Sequence, residues 1–217
     1  ALRALPLPLL VLLEGEDFLE PAFAFPAFER IGGHGTSSFP DGSDRIGSVS
    51  RNKDYRMNPM TTEPRFIADV MLGKLATWLR LLGCDVEYFR EISDEDLVER
   101  ASRSGRVILT RDVELTRRRK ARGNLFFVRG DGYRDQLRQV VERFSIDPFA
   151  RILTRCLRCN EPLRDIDRSE ARSKVPPFVY ETQRIFRTCG GCGRIYWRGT
   201  HRFEAIRLLR EMLERPG

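Results

Sequence analysis

Aspartates follow the short apolar runs in the second part of this sequence, each close to the point where a run ends. These acids are Asp69, Asp94, Asp96, Asp112 and Asp131. If the runs are parallel strands, their carboxyl ends form the edge at which open α/β sheets bind ligands. Carboxylates that converge there need a hard divalent cation between them. The pattern therefore favours hydrolysis of a phosphodiester bond by a metal-activated water.

Helix capping is the competing interpretation of the same acids. Aspartate is a favoured N-cap, and each of these residues stands where a helix is expected to begin. Asp131 precedes Gly132, which is typical of a turn. For Asp112 alone the two interpretations are evenly matched. Repetition at one predicted edge favours a site, although phosphatases and receiver domains show the same pattern.

Four of the five cysteines form two CxxC pairs, Cys156 with Cys159 and Cys189 with Cys192. Two intervening residues let both sulfurs of a pair bind one tetrahedral ion, so two pairs complete a closed four-sulfur zinc site. Prolines interrupt the apolar run over 5–13, which is too short to span a bilayer and does not resemble an export signal. We therefore expect structural zinc in a cytoplasmic protein without a membrane segment.

The positive charge of the chain lies in residues 65–217. This part has 32 Lys and Arg against 22 Asp and Glu, a net charge of +10, whereas residues 1–64 have 6 against 9, a net charge of −3. A basic surface attracts polyanions such as RNA. Within it, the run over 117–122 has five positive charges in six residues. Such a run weakens an isolated helix unless a polyanion lies against it, but a solvated face explains it equally well.

Cationic side chains elsewhere are candidates for phosphate contacts. Lys74 and Arg80 are predicted on the polar side of the first helix, where solvation alone is the simpler explanation. The full candidate set is Lys74, Arg80, Arg111, Arg117, Arg118, Arg119, Lys120 and Arg198. Near Arg198, the stretch "GRIYWRGTHRF" interleaves arginines with aromatics. These aromatics are able to stack on RNA bases or to form the small core of the local module.

Strands and helices alternate from residue 65 to Pro148. The predicted strands cover 66–68, 86–89, 107–110 and 125–128. Helical patterns lie between them and end at Gly83 and Gly105, and a short helix is predicted over 113–121. This alternation predicts an α/β fold with a central parallel sheet that is covered on both faces.

The segments on either side of this module differ from it. Residues 1–64 are rich in Gly, Pro and Ser without a sustained period, which indicates a disordered or weakly ordered leader. Residues 149–217 contain both CxxC pairs, a charged and proline-rich loop predicted over 164–177, and an apolar helical pattern at the end. They are predicted to form a small zinc-pinned β module with a terminal helix.

A resemblance brings these features together. The stretches "RFIADVMLGKLATWLRLLGCDVEYF", "SDEDLVERA", "GRVILTRD" and "CLRCNEPL", with the second CxxC pair, resemble the Mut-seven C-terminal RNase family over about residues 65–213. The resemblance implies a PIN-like three-layer nuclease domain over 65–148 and a zinc ribbon with a C-terminal helix over 149–217. It also implies a ribonuclease whose Mg²⁺ or Mn²⁺ ligands are Asp69, Asp94 and Asp112. Asp96 competes for the second place, and Asp131 is a fourth candidate.

Two other functions stay open at this point. A non-catalytic adaptor that binds RNA or ribosomes would keep the fold and the basic surface without using the acids. A phosphatase acting on small molecules would use the acids without binding RNA. RNA is the expected partner, with ribosome or tRNA association as a further expectation, and the sequence does not indicate an oligomeric state.

Overall fold

The structure is a computed structural model that describes residues 63–214, apart from the side chains of Thr200, His201 and Glu214. The described residues belong to one compact unit that covers 54–217. The leader predicted over 1–64 lies almost entirely outside the described residues.

The predicted α/β fold is confirmed. In chain order the elements are β1 (Arg65–Ala68), α1 (Gly73–Leu81), β2 (Asp85–Tyr88), α2 (Asp94–Ser104), β3 (Val107–Thr110), α3 (Val113–Arg117), β4 (Leu125–Phe127), α4 (Tyr133–Arg143), β5 (Leu163–Ile166), α5 (Arg168–Ala171), α6 (Pro177–Thr182), β6 (Phe186–Cys189), β7 (Ile195–Trp197) and α7 (Thr200–Glu214). The first four strands form a parallel sheet in the order β2-β1-β3-β4. The last three form an antiparallel sheet in the order β5-β6-β7.

Helices cover both faces of the parallel sheet. Successive strand residues point to opposite faces, so Phe66 and Leu109 pack with α1, α4 and α7, whereas Ile67 and Ile108 pack with α2 and α3. All four of these side chains are buried. Burial on both faces is the reason why the strands are continuous apolar runs.

The helix predicted over 113–121 is interrupted. It ends at Arg117, Arg118 is extended with φ −68° and ψ 123°, and a 3₁₀ turn follows over Arg119–Ala121. Positive charges three and four residues apart disfavour a continuous helix here. The extended Arg118 also reaches the carboxylate of Asp94, with Nη2 and Oδ2 3.0 Å apart.

The loop predicted over 164–177 is wrong in part, because most of β5 and all of α5 lie within it. Arg164 and Asp165 are exposed residues of a strand that pairs antiparallel with β6. Asp165 accepts a hydrogen bond from Arg187 on the neighbouring strand, with Nε and Oδ1 2.8 Å apart. Pairing between strands distant in sequence, and not an apolar pattern, places this segment in a sheet.

The terminal helix α7 completes the layer of α1 and α4 on the parallel sheet. Its Leu209 and Met212 are buried in the same core as those helices. Arg138 of α4 also donates to the carbonyl oxygen of Met212, at 2.8 Å from Nη2. The helix thus packs against the α/β module, and the boundary at residue 148 stays a prediction.

Candidate acidic edge and thiolate cluster

Asp69 is placed by β1 at the carboxyl edge of the parallel sheet. Its backbone N–H donates to Leu109 O at 3.0 Å, and the residue as a whole is 7% exposed. Asp69 is the N-cap of a one-turn 3₁₀ helix, yet its carboxylate makes no cap hydrogen bond. Among the described residues its side-chain partner is the hydroxyl of Thr110, at 2.7 Å from Oδ2, and not a cation. Helix capping therefore does not explain this acid.

Thr110 connects Asp69 to Asp112. Its buried hydroxyl donates to Asp69 and accepts from the backbone N–H of Asp112, at 2.9 Å. Asp112 in turn caps α3, because its Oδ1 accepts from Glu114 N–H at 2.8 Å. Sequence reasoning missed Thr110, since its position opposite Asp69 depends on the register between β1 and β3.

Asp94 and Asp96 both lie in the first turn of α2, where their partners differ. Asp94 accepts from Arg118 at 3.0 Å, and both side chains are about 40% exposed. Ser93 accepts from the backbone N–H of Asp96 at 3.1 Å and donates to its carboxylate at 2.7 Å. This pair is a capping-box-like arrangement, so Asp96 stabilises the beginning of a helix.

Asp131 is an exposed residue of the bend before α4. Its side chain is 92% exposed and forms an ion pair with Arg111. The aspartates do not form a ready cluster, because within 63–214 only the four cysteines form a group of three or more metal-ligating side chains within 4.8 Å of one another. At the sheet edge, hydrogen bonds of Thr110 connect Asp69 to Asp112. Asp94 is paired instead with Arg118.

Arg80 departs from its prediction. It is 4% exposed, not on the polar side of α1, and burial lowers its pKa. Its Nε donates to Val86 O at 2.9 Å, and its Nη1 donates to Leu157 O at 3.1 Å and Arg158 O at 2.8 Å. The expected phosphate contact of Arg80 is wrong because the guanidinium is buried and donates to carbonyl oxygens.

The other cationic candidates are accessible to solvent, with Arg111 half-buried. The exposed ones are Lys74, Arg117, Arg118, Arg119, Lys120 and Arg198. Arg117 pairs with Glu114 at 2.6 Å, a surface ion pair that adds little stability. This exposure is compatible with phosphate contacts along the helix that follows Asp112.

Four free thiols converge in the second module. The Sγ atoms of Cys159 and Cys189 are 3.2 Å apart, those of Cys156 and Cys192 are 3.5 Å apart, and all four lie within 4.8 Å of one another. Four sulfurs at these separations suit one tetrahedral ion and leave no position open for a substrate. The donor set therefore fits structural zinc, as predicted.

The model of the Mut7-C RNAse domain matches residues 64–209. This chain belongs to the Mut7-C RNase family. The match covers the acidic edge and all four cysteines, and it indicates a nuclease that acts on RNA. No curated protein and no solved structure matches the chain. Within the part of the chain that the structure describes, no helix is long and apolar enough to cross a membrane.

Tyr196 contacts the thiolate cluster of this Mut7-C domain through its hydroxyl group. Its Oη lies 3.1 Å from Cys156 Sγ and accepts from Leu157 N–H at 3.2 Å. Burial acts to raise the pKa of Cys156, but the hydrogen bonds from Tyr196 and from the backbone N–H groups of Cys159 and Arg158 lower it to about 7. Burial raises the pKa of Cys159 and of Cys192, so Cys156 ionises more readily than either of them.

The first CxxC pair is docked on β2 of the Mut7-C core. Asn160, with φ of 69°, accepts from Val86 N–H at 2.9 Å and donates to Asp85 at 2.7 Å. Arg106 also donates to Asp85, at 2.6 Å. Burial alone would raise the pKa of Asp85, but these hydrogen bonds lower it. Together with Arg80, this network connects the thiolate module to the parallel sheet.

Replacing Arg80 tests this structural assignment. We expect Arg80→Leu to lower the free energy of unfolding by about 3 kcal/mol, because carbonyl oxygens of the first CxxC pair lose a charged donor. Its affinity for RNA should stay unchanged. The matched variant Lys74→Leu removes an exposed charge from the same helix and should leave stability within about 0.5 kcal/mol. Urea unfolding with zinc present measures the free energy of unfolding of both variants. Equal values for Arg80→Leu and Lys74→Leu would contradict a structural role for Arg80.

Proposed function

We propose that this Mut7-C domain is a metal-dependent ribonuclease that hydrolyses RNA at the carboxyl edge of its parallel sheet. The observation that carries the proposal is the buried carboxylate of Asp69, which neither caps a helix nor contacts a cation among the described residues. An unpaired buried carboxylate is costly unless it serves a ligand. Oxygen donors from Asp69 and Asp112 suit Mg²⁺ or Mn²⁺.

Asp94 is the third proposed ligand and must exchange partners to act. Its ion pair with Arg118 is partly exposed, and such pairs contribute about 0–1 kcal/mol. Releasing Arg118 therefore costs little, and the freed guanidinium becomes available for an RNA phosphate. Asp96 and Asp131 are weaker candidates, because Ser93 holds the first and Arg111 the second.

Each part of the edge then has a chemical role. A bound Mg²⁺ or Mn²⁺ would supply an activated water and neutralise charge on the reacting phosphate. Asp69 and Asp112 hold their oxygens at the edge, and Thr110 fixes the orientation of Asp69. The exposed cations of 117–120 and Lys74 bind phosphates on either side, while the four thiolates hold a structural zinc that takes no part in the reaction.

A cleavage assay tests this proposal. Protein that retains zinc but has no added divalent cation is incubated with end-labelled single-stranded and structured RNAs, and Mg²⁺ or Mn²⁺ is then added back. We expect cleavage only after the addition. Adding the metal back avoids a chelator, which would also remove zinc.

A binding-only adaptor is the second candidate, favoured by the arginine partners of Asp94 and Asp131. It predicts salt-dependent RNA binding without cleavage in any metal. Hydrolysis of free nucleotides without RNA binding would instead indicate a phosphatase.

Asp112→Asn separates capping from catalysis at one residue. Asparagine caps a helix as well as aspartate does, so the fold and the free energy of unfolding should be retained. The substitution removes one proposed metal ligand, so we expect turnover to fall by about 100-fold while RNA affinity is kept. Single-turnover cleavage and RNA-binding titrations measure the two quantities. Unchanged turnover would show that Asp112 serves only as the N-cap of α3 and not as a metal ligand.

A further inference from the structure

A second basic site lies away from the acidic edge. It is a cavity of about 200 Å³ between segment 150–154 and β7. Among the described residues that line it there is no Asp or Glu, and all the charged ones are arginines: Arg151, Arg187, Arg198 and Arg202. A concentration of one charge sign around a cavity attracts a ligand of the opposite sign.

Two of these arginines already have carboxylate partners. Arg151 contacts Glu63, and Arg187 donates to Asp165 at 2.8 Å. Arg198 and Arg202 have no carboxylate within 4 Å among residues 63–214 whose side chains are described. They are the cations that remain for an anionic ligand.

The cavity also has an aromatic wall. Trp197 of β7 is partly exposed and lines it, and Ile185, 49% exposed, borders it. Gly199 lies directly against the indole, because a Cβ at this residue would be 2.9 Å from Nε1 of Trp197. A larger residue at this position would require the ring to shift. A partly exposed indole beside arginines without carboxylate partners is the arrangement that stacks a base and holds its phosphate.

The cavity is separated from Asp69 by the length of α1. This helix begins just after Asp69 at the carboxyl edge and ends at Leu81, just before β2 begins at the opposite edge. At that far end Leu153 of the cavity wall donates to Leu81 O at 2.9 Å. Nine helical residues extend about 13 Å. A ligand in the cavity therefore does not reach the proposed cleavage edge.

We propose that this cavity anchors one nucleotide of single-stranded RNA, with its base on Trp197 and its phosphate on Arg198 and Arg202. The proposal rests on the proposed function in that RNA is the substrate, but anchoring itself requires no catalysis. RNA long enough to reach both sites gains affinity from the anchor. Oligonucleotides of two or three residues that occupy only the edge do not. The anchor thus contributes to KM for long RNA and leaves kcat unchanged.

Equilibrium binding of a fluorescein-labelled ten-residue oligouridylate, without added Mg²⁺ or Mn²⁺, tests the anchor. Trp197→Leu keeps an apolar side chain but loses the stacking surface, and we expect binding about tenfold weaker or more. Arg198→Ala/Arg202→Ala should weaken binding and reduce the salt dependence by about 0.7 for each lost phosphate contact. The control is Arg207→Ala on α7, whose exposed arginine pairs with Glu204 and Glu211 outside the cavity. It should bind as the unaltered protein does.

The anchor is overturned if Trp197→Leu and Arg198→Ala/Arg202→Ala both bind within twofold of the unaltered protein while retaining zinc and secondary structure. If Trp197→Leu does not fold, the arginine pair decides alone. Because the binding assay requires no cleavage, a failed ribonuclease proposal leaves this test intact. Conversely, if the folded variants cleave long RNA with unchanged KM, the anchor proposal is wrong and the ribonuclease proposal stands.

Discussion

Removing the zinc is expected to unfold the second module of the protein. Its three strands have only four, four and three residues, and its main buried cluster contains five side chains. So small a core does not offset the entropy of ordering the segment. Structural zinc supplies about 10 kcal/mol or more of folding free energy in comparable small modules. Replacing Cys156 or Cys189, the two buried thiols of the cluster, by serine should have the same effect.

The chain offers a matched control for the cysteine variants. Cys84 is also buried, and burial raises its pKa to about 12, but it lies outside the thiolate cluster. Cys84→Ser should therefore retain one zinc per chain, whereas Cys156→Ser should retain none. Metal analysis together with hydrogen exchange over 150–198 distinguishes the variants. Unchanged exchange protection after complete zinc loss would rule out a structural role for the metal.

Asp69→Asn is expected to reduce RNA turnover by about 1000-fold, or about 4 kcal/mol of transition-state stabilisation. Asparagine still accepts the hydrogen bond from Thr110, and the substitution removes a buried charge that no cation balances in the described structure. The free energy of unfolding should therefore not decrease. RNA affinity should be equal or slightly higher, because one negative charge is lost. Single-turnover cleavage, RNA titration and urea unfolding test the three expectations separately.

Two further variants test the proposed role of Asp69 as a metal ligand. Thr110→Val keeps the shape of the side chain but removes the hydroxyl that orients the carboxylate, so we expect turnover to fall by about 10- to 100-fold. Asp96→Asn is the control, since Ser93 already engages that acid at the beginning of α2. It should cleave RNA at the rate of the unaltered protein. Full turnover by Asp69→Asn in this series would refute the metal site at the sheet edge.

Local patterns account for the elements that were predicted correctly. Ser93 caps α2, and Gly105 ends it with φ of 64°, a conformation that glycine adopts without strain. Continuous apolar runs indicated the buried strands, and the CxxC spacing indicated the thiolate cluster. Each of these signals depends on residues within a few positions of one another, so the sequence alone was sufficient.

Pairings between distant elements required the tertiary structure. The register of β1 and β3 places Thr110 beside Asp69, a relation between residues 41 positions apart. Arg80 occupies a nominally polar helical position, yet the docking of residues 157 and 158 buries it. Arg118 likewise reaches Asp94 only because the chain leaves the helix at that residue.

The sequence by itself thus determined the alternation of strands and helices over 65–148, the acids at the strand ends and the four thiols that are able to bind one metal ion. The tertiary structure decided which acid is buried without a cap, which arginines are free, and where the aromatic cavity lies. The physical reason is that helix and strand formation follow from short-range periodicity. The partner of a charged side chain depends instead on how separate elements pack.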